Sequence, residues 1–211
     1  MQIIGVIGFI GSGKNTVGDI LVEKHGFARD NFARSLKDAC ANMFGWDRAL
    51  LEGDTEESRL FREKVDLFWT KTLGYEVTPR LMMQYLGTEA GRNVFGEDLW
   101  VASCGKRITE AQQNVVITDV RFPNEIRYLR SLGGHIVLVQ RGPNPDWFEQ
   151  ALDYNNASPE AKKEMPQPPV HYSEWAWIGQ DIDFLIDNDT TLADLKYRVA
   201  GLVSLLTKTK L

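Results

Sequence analysis

The sequence predicts an α/β fold, a five-stranded parallel sheet flanked by helices, and three observations carry that expectation. Five short segments of strand length, Gln2 to Ile7, Gly26 to Ala33, Val115 to Asp119, His135 to Gln140 and Phe184 to Asp189 with its closing turn, alternate with segments whose apolar residues recur at helical spacing. Such alternation folds as parallel strands joined by crossover helices that cover both faces. The first run leads straight into Gly8-Phe9-Ile10-Gly11-Ser12-Gly13-Lys14-Asn15-Thr16, after which Val17 to Glu23 resumes helical spacing. The third run ends in a carboxylate, Asp119, with Arg121 close behind, and strand ends of this kind face the ligand crevice.

The glycine-rich stretch has a physical reading. Between a strand and a helix it turns several backbone N–H groups toward one point at the positive end of the helix dipole, where phosphates bind. Lys14 adds a mobile charge. The spacing G-x-x-x-x-G-K fits a phosphate loop, but Asn15 stands where a magnesium-ligating Ser or Thr is usual, and Thr16 comes one residue later.

At 211 residues the chain suits a single domain, residues 1–211, with one core and movable insertions. Its 43% hydrophobic and 25% charged residues exclude disordered and fibrous classes. A net charge of −5 argues against a duplex-binding surface, so no nucleic-acid partner is expected. Cys40 and Cys104 lie far apart without metal-type neighbours and read as buried thiols, and His25, His135 and His171 show no ligand spacing. No stretch approaches a membrane span, and the first twenty residues hold the phosphate loop where a signal peptide would hold a basic segment. A reducing cytoplasm and no membrane partner are therefore expected.

In chain order, Ser35 to Phe44 reads as a helix with Leu36, Ala39, Cys40 and Met43 on one face. Arg34 and Lys37 at its start oppose the helix dipole, which suggests that they face an anion, a charged turn being the alternative. Residues 45–75 mix Trp46, Phe61, Phe68 and Trp69 with dense charge and read as a helical insertion, Glu56 to Leu73 forming a surface helix with Leu60, Val65, Phe68 and Trp69 on one side. Thr78-Pro79 starts another helix running to Glu89, with Pro79 in its first turn. Arg80 and Gln84 share a face of it; a guanidinium fork suits a phosphate and a carboxamide suits a base edge. Glu97 to Ala111 gives a further helix, in which Trp100 is either core or a stacking platform.

Pro123 opens a helix to Leu132 that Gly133-Gly134 ends. From Arg141 to Gln180 six prolines break up charged and aromatic residues, the pattern of a lid or binding loop, here residues 142–180, or of a plain surface excursion. Thr191 to Leu206 closes the chain as an amphipathic helix with Leu192, Leu195, Val199, Leu202 and Leu206 inward.

These blocks, in this order, resemble one family. Gly11-Ser12-Gly13-Lys14-x-Thr16, Ala33-x-x-x-Lys37-Asp38-Ala39, Leu81-Met82-Met83-Gln84-x-Leu86-Gly87-Thr88, Asp119-x-Arg121-x-x-x-Glu125, His171-x-x-Glu174 and Asn188-Asp189 are similar to the deoxynucleoside monophosphate kinases of tailed bacteriophages, of the P-loop nucleoside monophosphate kinase type. The resemblance implies transfer of the γ-phosphoryl group of ATP to a deoxynucleoside monophosphate, with Mg2+, behind a closing lid. It places the acceptor near Lys37, Arg80, Gln84, Gly87, Trp100, Asp119 and Glu125, the donor adenine near Asn188, and the protein as a homodimer in a host cytoplasm.

The chemistry suits those parts, because phosphoryl transfer needs positioning and charge neutralisation more than covalent help. The N–H groups of Gly11, Ser12, Gly13 and Lys14 and the Lys14 ammonium would hold the β- and γ-phosphates, with Asn15 and Thr16 opening the helix. Arg121 and Arg141 would bridge donor and acceptor, and Arg34 would join the acceptor side. Since Asn15 is a poorer ligand than a hydroxyl, no side chain is expected on the metal directly; phosphates and water would hold it, with Asp119 bonded to those waters. Two other readings remain at this point: a P-loop kinase of another small acceptor, of the dephospho-coenzyme A or phosphomevalonate type, and a nucleotide-binding module without catalysis. The absence of an Asn-Lys-x-Asp guanine motif argues against a GTPase switch.

Overall fold

The computed structural model describes residues 1–208, which belong to two compact units, Met1–Asn31 with the chain from Ile108 onward, and Phe32–Arg107. The first is built on a sheet. Its strands are β1 (Ile3–Ile7), β2 (Ala28–Asp30), β3 (Val115–Ile117), β4 (His135–Gln140) and β5 (Phe184–Asp187), ordered β2-β3-β1-β4-β5 with every pairing parallel. All five residues of β1 are buried, as expected of a central strand covered on both faces. On one face α1 (Lys14–His25) and the closing helix pack with the strands in a core containing Ile4, Val6, Val17, Leu21, Val137, Val139, Leu195, Val199 and Leu202. On the other, Leu129 reaches Gly5 so closely that a Cβ there would lie 2.6 Å from its Cδ1.

β1 is flanked by β3 on one side and β4 on the other, so the direction of chain winding reverses beside it. That arrangement puts a crevice at the C-terminal end of β1, the end from which the glycine-rich loop emerges. Two strands are shorter than the sequence suggests: β2 keeps only three residues, and β3 stops at Ile117, leaving Thr118 and Asp119 to the following loop.

The second unit is helical. It holds α2 (Arg34–Phe44), a 3-10 turn (Ala49–Leu51), α3 (Glu56–Glu63), α4 (Leu67–Leu73), α5 (Pro79–Gln84), a π-helical stretch (Tyr85–Arg92), α6 (Asn93–Phe95) and most of α7 (Leu99–Ala111). The expected helix from Glu56 to Leu73 is two helices. Lys64, Val65 and Asp66 break it, because Asp66 leaves helical geometry to accept a hydrogen bond from the Trp69 amide as the N-cap of α4, and also takes the Trp46 indole N–H at 2.8 Å. The break changes which side chains face inward. Phe61 and Trp69 pack on a small core of Cys40, Trp46, Leu51, Val77, Met82 and Met83, whereas Leu60 and Phe68 are 67% and 68% exposed. Met43 likewise lies outside, and α2 packs on this core through Leu36, Cys40, Ala41 and Phe44.

α5 begins as Thr78-Pro79 predicts, the Thr78 hydroxyl accepting from the Leu81 amide. It gives way after Gln84 to a wider π-helix in place of the expected α-helix to Glu89, along the stretch where the Trp100 ring packs. A Cβ on Gly91 would lie 2.8 Å from that indole, and Trp100 Nε1 donates to the Gly87 carbonyl at 2.9 Å.

In the sheet unit the chain then forms α8 (Pro123–Ser131), α9 (Phe148–Asn156), α10 (Pro159–Lys162), a 3-10 turn (Tyr172–Glu174) and α11 (Leu192–Lys208). Leu192 is exposed at the first residue of α11, one turn ahead of the inward face formed by Leu195, Val199, Leu202 and Leu206. Within the proline-rich stretch, Trp175, Ala176, Trp177 and Ile178 are core residues, so its C-terminal end is anchored. Both cysteines are buried and neither is in a disulfide, and burial pushes the Cys40 thiol up to about 11. Among the described residues no helix is long and apolar enough to cross a membrane.

Candidate active site

The loop after β1 owes its shape to two glycines. Gly8 has φ 142°, and a Cβ on it would meet the Val139 carbonyl at 2.3 Å and Ser12 Oγ at 2.8 Å. Gly13, at φ 99°, is the N-cap of α1, and a Cβ there would lie 2.3 Å from Asn188 Nδ2. Only glycine fits either position. α1 has no side-chain cap and no acidic residue in its first turn, so its leading amides are left for another acceptor. By contrast α3, α4, α5 and α10 are capped by Thr55, Asp66, Thr78 and Ser158. The Ser12 hydroxyl is buried in the loop without a hydrogen-bond partner in the protein.

Lys14 folds back over this loop, Nζ donating to the Gly8 and Phe9 carbonyls at 2.7 Å each. Burial pushes its ammonium down to about 8, the Arg121 guanidinium adds to that, and the Glu174 carboxylate opposes both. Lys14, Arg121 and Glu174 thus share one electrostatic neighbourhood. Arg121 is pinned at two levels: its backbone N–H donates to Glu125 Oε2 at 2.7 Å, and its Nη1 lies 2.5 Å from Glu174 Oε1 and 3.2 Å from Ser173 Oγ.

Asn188 reaches the loop from beyond β5, donating its side-chain amide to the Ser12 carbonyl at 2.8 Å. It therefore braces the loop. Arg141, the residue after β4, is exposed, and the next amide, that of Gly142, donates to Asp189 beside Asn188. Asn15 is exposed and Thr16 half-buried in the first turn of α1, while Asp119 is half-buried just past β3. Glu125 is 4% exposed and accepts the amides of Arg121 and Phe122, holding the start of α8.

Phe9 anchors the loop from behind. Its ring lies 5.5 Å from Trp147, 6.2 Å from Phe148 and 5.0 Å from Trp177, beside a cavity of about 190 Å3 that Gln140, Asn144 and Gln180 also line. Arg29 supports the base of the same loop, donating to the Asn15 carbonyl at 2.9 Å and pairing with Asp19 at 3.0 Å.

The residues expected on the acceptor side lie in the helical unit, apart from Asp119, Arg121 and Glu125. Arg34 is exposed at the start of α2, which has no side-chain cap. Lys37 Nζ pairs with Glu52 Oε2 at 2.5 Å, and Arg48 joins Glu52 to Asp38. Burial alone would raise the Glu52 pKa, but the hydrogen bonds and charges of Lys37 and Arg48 outweigh it and hold the carboxyl below its usual range. Arg80 pairs with Glu63, and Gln84 is exposed one turn later on α5. Gly87 is buried against Leu36, and Trp100 is joined to it by the indole hydrogen bond. Arg107 donates to the Ser35 and Ser103 hydroxyls, which are 2.7 Å apart.

Sequence reading assigned no role to Glu52, Glu63, Arg107, Phe9 or Glu174. Their partners lie at separations such as 15 residues for Lys37–Glu52 and 53 for Arg121–Glu174, where no local periodicity records a contact. The His171-x-x-Glu174 block was the one available signal for Glu174.

Comparison with known proteins bears on this arrangement. The family model of the deoxynucleotide monophosphate kinases matches residues 52–151. A protein of Acanthamoeba polyphaga mimivirus, provisionally named deoxynucleotide monophosphate kinase, is 33% identical over 155 residues, 67% of this chain and 75% of the viral one. The deoxynucleoside-5'-monophosphate kinase of Escherichia phage T5 is 46% identical over 55 residues, covering 26% of this chain and 22% of the phage protein. Among solved structures, dephospho-CoA kinase from Campylobacter jejuni aligns over 96% of both chains with a TM-score of 0.48 and 16% identity. With one relative matched at that identity over three quarters of its length, and a family model covering the stretch from Glu52 to Ala151, the chain belongs to the deoxynucleotide monophosphate kinase family.

Proposed function

We propose that this chain transfers the γ-phosphoryl group of ATP to deoxynucleoside 5'-monophosphates, giving diphosphates for nucleotide supply. The observation that carries the reading is the uncapped N-terminus of α1 under a loop whose glycines admit no side chain, with Lys14 held beside Arg121. Backbone amides there are unsatisfied in the protein and suit the β- and γ-phosphates. Lys14 exchanges two carbonyl contacts for phosphate oxygens, and Arg121 and Arg141 span donor and acceptor phosphates as charge spreads in the transition state. Arg34, Lys37, Arg80, Gln84, Gly87 and Trp100, with Asp119 and Glu125, serve the monophosphate. Residues 142–180 act as the lid that keeps water from competing as acceptor.

Among the described residues no group of three His, Cys, Asp or Glu side chains could hold a metal ion. The oxygen donors present, Thr16 and Asp119, fit a Mg2+ that keeps phosphates and waters as its own ligands, with Asp119 accepting from those waters. When bound, that ion supplies neutralisation of the phosphate charge. ATP and a deoxynucleoside monophosphate are thus the partners, for an enzyme working as a homodimer in a host cytoplasm. A coupled ATP assay across the four common deoxynucleoside monophosphates tests the reading. Turnover with at least one of them is expected, and none with any would sink it.

A further inference from the structure

Glu174 is the negative charge that both cations of the donor side feel. Its Oε1 touches Arg121 Nη1 at 2.5 Å, and its field reaches Lys14. Ser173, the second partner of that guanidinium nitrogen, is itself placed by His171: its hydroxyl lies 2.9 Å from His171 Nδ1 and its amide 3.2 Å. The Arg121 backbone is held independently by Glu125. The guanidinium is thereby aimed beside Lys14 before any ligand arrives, two like charges being kept together by one carboxylate.

A guanidinium fork binds a carboxylate and a phosphate with the same geometry, and the phosphate carries more charge. The ion pair is also cheap to open. The Arg121 side chain is 44% exposed and that of Glu174 23%, so water screens the pair and compensates its loss. A fully buried pair in the same place would lock the arginine.

We infer that Glu174 is a placeholder for a donor phosphate, occupying Arg121 in the empty protein and surrendering it when a triphosphate enters, so that this positioning residue sets the affinity for the donor. The inference rests on the reading of Gly8 to Thr16 as the donor-phosphate loop. Two effects point the same way. Removing the carboxylate frees Arg121 from a competitor, and it leaves Lys14 and Arg121 repelling each other until phosphate neutralises them. Apparent affinity scales with the fraction of the binding-competent state, so both tighten binding.

Calorimetric titration of the full chain with MgATP, and separately with inorganic tripolyphosphate, no acceptor being present, tests this. Glu174→Gln is expected to lower the Kd for both ligands by about two- to fivefold, the range that one half-exposed ion pair supports. Glu174→Asp, which keeps the charge but draws it back by one methylene, should fall between. In an Arg121→Ala background Glu174→Gln should lose most of its effect on both Kd values, leaving only what its field at Lys14 contributes. Unchanged or weaker binding in Glu174→Gln with a wild-type Tm overturns the inference, as does tightening that is undiminished without Arg121. A lowered Tm with weaker binding in both Glu174 variants assigns the residue a purely structural role and also overturns it, and so does a wild-type chain that binds neither ligand. If the expected Kd pattern appears but no deoxynucleoside monophosphate is phosphorylated, the proposed reaction fails and this inference stands; turnover without the pattern gives the reverse.

Discussion

In the sheet unit Lys14 is held by two backbone carbonyls and Arg121 by one half-open carboxylate, whereas in the helical unit Lys37 and Arg48 share Glu52 and Arg80 is taken by Glu63. Carbonyls and a screened carboxylate yield readily to a phosphate. Lys37, Glu52, Arg48 and Asp38 form one connected set of pairs, so a phosphate taken up at Lys37 would have to exchange partners within a network. The contrast extends to packing. One unit builds its core from strands and two long helices; the other builds a small one around Trp46, Leu51 and Val77, within short helices capped by their own side chains.

The comparison can be broken most sharply at Arg121. Arg121→Ala should lower kcat by about three to five powers of ten, as loss of a transition-state arginine does in this reaction class, with little change in Tm. A loss below tenfold in the coupled assay would remove Arg121 from the chemistry. Next comes the helical core. Trp46, 9% exposed and bonded to Asp66, should cost about 3–5 kcal/mol on truncation to Ala, read from urea unfolding. A cost near zero would show that this unit does not depend on its own core.

Gly8→Ala tests the loop itself: forcing a Cβ against Val139 should cost about 1–3 kcal/mol and weaken ATP binding, measured by unfolding and calorimetry together. The pH dependence sharpens the donor side. In the proposed role Lys14 would bind phosphate as the ammonium, and burial lowers its pKa to about 8, so its protonated fraction is full well below that value and falls as pH rises through it. kcat/KM for ATP should therefore hold below pH 8 and fall about tenfold per unit well above it. Lys14→Arg should abolish that limb at whatever activity remains. The smallest effect is expected at Glu52. Glu52→Gln should cost about 0.2–1 kcal/mol of stability, because the carboxamide oxygen can still accept from Lys37 and Arg48 remains 30% exposed, while lowering the acceptor KM by loosening Lys37.

Legibility in the sequence follows the same division. β1, α1, β4 and the start of α5 announce themselves through local rules: a buried β-branched run, glycine at left-handed positions, Pro after a Thr cap. The glycine-rich turn before α1 was legible for that reason, and so was the strand that precedes Asp119. The break at Lys64 to Asp66 was not. Local spacing favoured one continuous amphipathic helix, and the indole N–H of Trp46, twenty residues away, competes for the Asp66 side chain that caps the second. The bond from Trp100 to the Gly87 carbonyl and its closeness to Gly91 were not legible either, because packing between separate helical segments sets them.

By itself, then, the sequence determined the α/β class, the glycine-rich loop between β1 and α1 and the identity of the charged residues near it, because these depend on period, on glycine's freedom at positive φ and on residue chemistry. Tertiary structure alone decided which of those charges are already spoken for. Glu174 meets Arg121 and Glu52 meets Lys37 only once the chain has folded, and pairing across such separations is set by packing geometry, which leaves no periodic trace along the sequence.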